Sequence, residues 1–212
     1  CDCQILVVGG PPGLLEFGEK RVRELETAWT RFDDSSELSA FNRRAGHWTS
    51  VSEELSLLLW RGLAGYRMSD GIFNPFMGTQ IRGVGYDRDF SELDIASGST
   101  PIEATDTSGP STSVNPTTPM QFMRHRRLAM LAPGLEFDSG GIGKGLGADV
   151  VASDLLRAGA AGAMVSLGGD VSVAGLWPDE GWRIGIDDPT GRNDQPMNVV
   201  LRDGAVCSSG TL

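Results

Sequence analysis

The stretch that most restricts the fold of this chain runs from Phe137 to Asp149 and reads FDSGGIGKGLGAD. Short extended runs at Leu128–Leu131 and Leu135–Phe137, broken by Pro133-Gly134, precede it. After it, Leu146, Val150, Val151, Leu155 and Leu156 recur at helical spacing, and Gly159 is a natural C-terminal stop. The stretch is therefore a glycine-rich turn between strand and helix. Glycines there let a ligand approach the backbone, and the first amides of the helix suit an anionic group such as a phosphate. A P-loop is excluded, because Gly143-Lys144 is followed by Gly145 and the residue five places before Gly143 is Asp138. A dinucleotide fingerprint matches in spacing at Gly143-x-Gly145-x-x-Ala148, without a clear first βαβ unit around it. A turn with no ligand stays open, although Lys144 and the flanking Asp138 and Asp149 weigh against it.

Charge narrows the partners. The 212 residues carry 28 acidic and 18 basic side chains, so a nucleic-acid backbone is excluded as the expected partner. The length suffices for a proper core. Cys1, Cys3 and Cys207 make neither a disulfide framework nor a zinc site. No apolar run approaches membrane-spanning length, and no signal peptide is read in the chain. A lipidated first residue at Cys1, left after signal cleavage, stays open but carries little weight, because the strand Ile5–Val8 begins almost at once with no tether.

Along the chain, Gly9-Gly10-Pro11-Pro12 ends the first strand, and a helix is expected over Leu14–Phe32 with Leu15, Val22, Leu25 and Trp29 near one face. A short helical turn at Ser36–Asn42 follows. Ser52 is a plausible N-cap for a helix whose stripe is Leu55, Leu58, Leu59, Leu63 and Tyr66. Asp70–Pro75 reads as a turn entering a short extended piece, and 83–90 as loop. Residues 97–119 are mostly Ser, Thr, Gly and Pro and read as a low-complexity surface loop within a single domain, 1–212. Strands are expected at Ala163–Leu167, Val171–Val173, Trp182–Ile186 and Val199–Leu201, with turns at Gly168-Gly169-Asp170 and Asp203-Gly204. Strands and helices without repeated βαβ spacing favour an α+β fold with mixed or antiparallel sheets and packed helices.

Several separated motifs together resemble the ApbE family of FAD:protein FMN transferases. They are Glu26-x-x-Trp29-x-Arg31-Phe32, Ser36-Glu37-Leu38-Ser39-x-x-Asn42, Asp70-Gly71-x-Phe73-Asn74-Pro75 and Gly85-Tyr86-Asp87-Arg88. Asp138–Gly145 with Asp149, Ser166–Asp170, Trp182-x-Ile184-Gly185-Ile186 and Ala205-Val206-x-Ser208-Ser209 complete the set, in the family's order. The resemblance implies an α+β protein that binds FAD and cleaves its pyrophosphate. FMN would pass to a Thr or Ser hydroxyl of an acceptor protein, AMP would leave, and Mg2+ would assist. It also allows a membrane-associated acceptor.

The same resemblance implies roles for particular residues. Amides around Gly140, Gly141 and Gly143 would hold the pyrophosphate, and Lys144 would act catalytically by offsetting its developing charge. The carbonyl of Gly141 would help to ligate the metal. Phe32 is a candidate to stack on the flavin, or else an ordinary core aromatic. Asp149, Gly168, Gly169 and Asp170 are candidates for the ligand pocket, Asp149 alternatively decorating the helix's first turn. Ser208 and Ser209 stand where the family has a Thr-Ser pair near the nucleotide, or form a plain turn. His47 and His125 match no motif and are read as surface residues.

Departures are also legible. Phe73-Asn74-Pro75-Phe76 replaces the family's Phe-Asp-Pro-Thr, and Cys207 stands where Thr is usual. Asp188-Pro189-Thr190-Gly191 lies before the serine pair, so it is read as the loop after the Trp182 strand and not as the family's later Ile-Asp-Pro-x-Thr-Gly motif. The expectation is a chain truncated relative to the family, lacking the segment with the acidic metal ligands and catalysing poorly by itself. Plain FAD binding, FAD pyrophosphatase action and an inactive remnant are the alternatives.

Overall fold

A computed structural model describes residues 2–83, 118–177, 180–186 and 197–208. Cys1, the Gly85–Arg88 motif, nearly all of the 97–119 loop, Asp188–Gly191 and Ser209 lie outside the described residues. The chain gathers into two compact units, one of residues 1–28 with 140–212 and the other of residues 29–139. The fold is α+β. Every strand pair among the described residues is antiparallel, and an isolated parallel bridge joins Met77 to Glu136.

The first unit is built on a four-stranded sheet in the order β1-β5-β6-β9. Its strands are β1 (Cys3–Val8), β5 (Gly162–Leu167), β6 (Asp170–Gly175) and β9 (Gly204–Val206). β5 is buried along nearly its whole length, as a strand covered on both faces must be. On one face it meets α5 (Gly143–Arg157), whose Val151 and Leu155 are fully buried. Helix α1 (Leu14–Trp29), whose last residue belongs to the second unit, also packs here. A Cβ at Gly18 would lie 3.2 Å from Ile5 Cδ1 and 3.5 Å from Leu155 Cδ2, so helix and sheet approach closely. Arg21 Nε donates to Asp154 Oδ2 at 2.9 Å and ties α1 to α5. The other face of the sheet carries Met164, Val171 and Val173, which form a core with Trp182 and Ile184 of the hairpin β7 (Trp182–Ile186) and β8 (Met197–Leu201).

Helix α1 stops at Trp29, short of the expected Phe32. Beyond it the backbone bonds to side chains: Phe32 N–H donates to Thr30 Oγ1, Ser36 Oγ to the Thr30 carbonyl, and Ser35 N–H to Asp33 Oδ1. Such local bonds compete with the helical ladder and end it. The buried face also differs. Leu14, Gly18, Leu25 and Trp29 point inward, whereas Leu15 is 50% exposed.

The second unit contains α2 (Glu37–Asn42), α3 (Glu53–Met68), α4 (Gly78–Gly83) and a three-stranded sheet in the order β2-β4-β3. β2 is Thr49–Ser50, β3 is Met120–Met123 and β4 is Leu128–Leu131. Ser36 caps α2 through its acceptance from Ser39 N–H, and Ser52 caps α3 through Leu55 N–H. Glu37 holds that second cap in place, accepting from both the N–H and the hydroxyl of Ser52. Leu55, Leu58, Leu59 and Leu63 are buried as the stripe predicts. Tyr66, Phe76 and Phe137 follow one another edge to face at 5.4 and 5.7 Å. Phe76, the departure from a family Thr, is thus a core residue. Helix α4 has no counterpart in the sequence reading, which placed a short extended piece after Asp70–Pro75.

Candidate functional site

The glycine-rich turn ends at Ile142, which stands at the N-cap of α5 with no side-chain cap. The first intrahelical bond runs from Leu146 N–H to the Ile142 carbonyl, so the amides of Gly143, Lys144 and Gly145 head the helix without intrahelical acceptors. No acid lies in that first turn, and Lys144 is exposed on it. Partial positive charge from the helix end and the full charge of Lys144 therefore coincide. None of the glycines from Gly140 to Gly147 has a positive φ. Their conformation is open to any residue, and what glycine supplies there is room beside the amides.

Gly168 and Gly169 serve differently. Their φ values of 57° and 90° make the two-residue loop between β5 and β6 a tight hairpin of the kind that needs left-handed backbone at both positions. The hairpin delivers Asp170 to the first position of β6. β6 pairs with β9 at Val171↔Val206, and the residues just beyond, Asp170 and Cys207, come together. A Cβ on Gly145 would lie 3.7 Å from Cys207 Sγ and 3.9 Å from Asp170 Oδ2, so both side chains face the start of α5. Strand alternation turns Ser208 to the opposite side, where its Oγ lies 3.9 Å from a Cβ built on Gly169.

The electrostatics agree with that cluster. The Cys207 thiol is pushed above its ordinary range by desolvation, by the charge of Asp170, by the hydrogen bond it donates to Asp170 and by Asp149, while Lys144 pulls the other way. Lys144, Asp149, Asp170 and Cys207 thus feel one another in one small region of the first unit. Asp149 is exposed in the second turn of α5 and does not decorate the first.

Beside this cluster, on the other face of the sheet, a cleft of about 470 Å³ opens between β1, β5, β6 and β7. Leu6, Met164, Val171 and Ile184 line its apolar part, and Gln4, Ser166, Arg183 and Ser208 bring polar groups to it. Gly169 and Ser208 border it as well, so the cleft and the cluster meet at the consecutive pairs Gly169-Asp170 and Cys207-Ser208. An apolar hollow with a few convergent polar groups is the usual form of a small-molecule site.

Phe32 belongs to the second unit. It is 41% exposed, and the Arg31 guanidinium lies 4.3 Å from its ring centroid. Arg31 Nε meets Asp138 Oδ2 at 2.6 Å in an ion pair whose side chains are 7% and 9% exposed. The motifs that hold Arg31 and Asp138 give no sign by themselves that the two pair. What the sequence does carry is a charge set beside an aromatic residue in each of the two motifs, Arg31 next to Phe32 and Asp138 next to Phe137. Gly140 and Gly141 are exposed at the turn, and His47 and His125 are exposed as expected. Among the described residues, no three His, Cys, Asp or Glu side chains gather as a metal site.

Comparison with known proteins places these features in a family. Residues 2–212 match the model of the ApbE family. The FAD:protein FMN transferase of Treponema pallidum (strain Nichols) is 29% identical over an alignment of 206 residues, which takes in 84% of this chain and 51% of that protein. The crystal structure of the ApbE protein from Thermotoga maritima MSB8 superposes with a TM-score of 0.78 at 24% identity, over 98% of this chain and 66% of that one. Flavin transferase ApbE from Vibrio cholerae gives 0.74 at 21% identity, over 99% and 72%. These structures share the fold. The chain spans about half the length of the curated relative it matches.

Proposed function

Since the chain belongs to the ApbE family, we propose that it serves as a flavin transferase with FAD as its substrate. In this reading the hydroxyl oxygen of an acceptor Thr or Ser forms a bond to the FMN phosphorus. The acceptor's O–H bond gives up its proton to solvent, the anhydride bond breaks, and the bridging oxygen departs with AMP. The observation that carries the reading is the uncapped start of α5, where the amides of Gly143, Lys144 and Gly145 lack intrahelical acceptors and Lys144 is exposed in the same turn. A pyrophosphate is the kind of doubly anionic group such a helix end attracts. Transfer from a phosphoanhydride is served chiefly by positioning and charge stabilisation, which these groups supply.

The neighbouring cleft supports the same reading, because a dinucleotide needs an apolar surface for its ring systems next to its phosphates. Phe32, exposed and backed by Arg31, is the candidate for flavin stacking, and Ser208 and Ser209 for the nucleotide. Gly140, Gly168, Gly169, Asp149 and Asp170 border the phosphates in this proposal. Magnesium usually takes one or two carboxylates together with phosphate oxygens. The described residues, with the Gly141 carbonyl as the expected ligand and no three-residue cluster, do not fit a metal centre made by protein alone.

Flavin fluorescence titration tests the proposal. Saturable quenching by the wild type is expected, with Lys144→Met binding FAD about tenfold to a hundredfold more weakly while its circular dichroism is unchanged. Unaltered affinity would remove Lys144 from the site. Mass spectrometry of an acceptor incubated with FAD distinguishes transfer from its rivals. An FMN adduct supports transfer, AMP without an adduct indicates a pyrophosphatase, and neither product indicates a flavin-binding protein.

A further inference from the structure

The hairpin joining β3 to β4 turns through Arg124, His125, Arg126 and Arg127, all of them exposed. The chain has a formal net charge of −10, so a run of cations is conspicuous in it. The comparable run on α1 is neutralised: Lys20 and Arg23 pair with Glu24 and Glu19, and Arg21 pairs with Glu24 and Asp154. Among the described residues, no ion pair meets Arg124, Arg126 or Arg127. The turn also holds Arg127 at φ 49°, a left-handed conformation that a Cβ disfavours and that Gly or Asn would adopt more readily. The hairpin therefore keeps a cation where backbone preference alone would not.

Helix α3 adds an aromatic support. The Arg124 guanidinium lies 4.1 Å, and that of Arg61 4.9 Å, from the centroid of the Trp60 ring. The ring's electron-rich face attracts each cation and holds it near Trp60, and a guanidinium held there keeps N–H donors that can take a carboxylate in a bidentate grip.

We propose that this hairpin and Trp60 form the docking surface for an acidic segment of the protein that receives the flavin; the partner's identity as an acceptor rests on the function proposed above. A carboxylate-bearing segment matches in charge these arginines, which meet no ion pair among the described residues. Its attraction falls off within about a Debye length, ~8 Å at physiological ionic strength, so the patch acts locally despite the acidic remainder of the chain. An anionic membrane is the weaker fit. Entry of Trp60 into an acyl layer would carry two stacked guanidinium groups with it.

Fluorescence anisotropy of a fluorescein-labelled peptide, alternating Glu and Asp around a central Thr, tests the proposal on the intact protein. Saturable binding that weakens with salt is expected. Arg124→Glu/Arg126→Glu should lower the affinity by about tenfold or more. Arg126→Glu alone, at an exposed side chain, should lower it by a smaller factor and guards against a folding defect in the double variant. FAD titration of the same variants should give wild-type affinity. Absence of saturable peptide binding, or equal binding by wild type and variants, overturns the docking surface. Preferential binding to phosphatidylglycerol vesicles also overturns it and assigns the patch to membranes. Loss of FAD binding by the wild type defeats the functional reading instead, so the two failures are separable.

Discussion

Asn42 and Phe137 are joined in both directions, the Asn42 Nδ2 donating to the Phe137 carbonyl at 2.9 Å and the Phe137 N–H donating to Asn42 Oδ1 at 2.9 Å. Both residues are buried and stand 95 positions apart. A side-chain amide thus completes the backbone pairing that Phe137 would otherwise find in a neighbouring strand. It fixes the chain one residue before Asp138.

Replacing Asn42 by alanine leaves a buried donor and a buried acceptor without partners. Each costs about 1–3 kcal/mol, so Asn42→Ala should be destabilised by about 2–6 kcal/mol. Urea unfolding followed by circular dichroism checks this. A midpoint equal to that of the wild type would show that the pair contributes little.

The Arg31–Asp138 ion pair invites the opposite comparison. Removing one partner strands a buried charge, and a loss of about 3–5 kcal/mol is expected for Arg31→Met. The double variant Arg31→Met/Asp138→Leu should recover much of that loss, because it buries no lone charge. Thermal melts of the single and double variants settle the sign. Since both side chains are buried, added salt should barely change the result.

At Gly62 a general rule reverses. In an exposed helix interior Gly→Ala stabilises by about 0.8–1 kcal/mol. Here a Cβ would come within 2.5 Å of Phe137 Cζ, and Phe137 is fully buried against Phe76. Overpacking of about 1–3 kcal/mol exceeds the gain, so Gly62→Ala should lower the unfolding midpoint. A raised midpoint would show that the ring can yield.

Cys207 provides a chemical readout of the cluster at α5. Its thiol is held above the ordinary range, so the folded protein favours the neutral form. The associated stability is complete below the ordinary thiol pKa and is lost as pH rises through the folded value. Iodoacetamide labelling of Cys207, resolved by peptide mass spectrometry, should therefore show a midpoint on the alkaline side of an unstructured thiol. Asp170→Asn removes a nearby negative charge and should shift that midpoint downward. No shift would separate the two side chains. Cys3, raised by burial and by Glu19 and Glu26, should keep its own midpoint in that variant.

Much was legible because it is local. The cap at Ser52, the short helix after Ser36, the leucine stripe of α3, the Gly168-Gly169 hairpin and the helix after the glycine-rich turn each depend on a few adjacent residues. Local sterics and hydrogen bonding decide them before any tertiary contact forms. Within the candidate site, the same rules point to Lys144 and the glycines beside it, whereas Asp170 enters only through the family resemblance. They could not say which of two leucines at the start of α1 turns inward, since Leu14 and Leu15 are equally apolar and only the packed sheet distinguishes them. Nor could they find α4 or carry Phe76 into the core. The pairing of Asn42 with Phe137, and the meeting of Asp170 and Cys207 at Gly145, join residues tens of positions apart. Sequence determined the elements and the chemistry they carry; tertiary structure decided which side chains share a neighbourhood, because strand register and burial are set by partners distant along the chain.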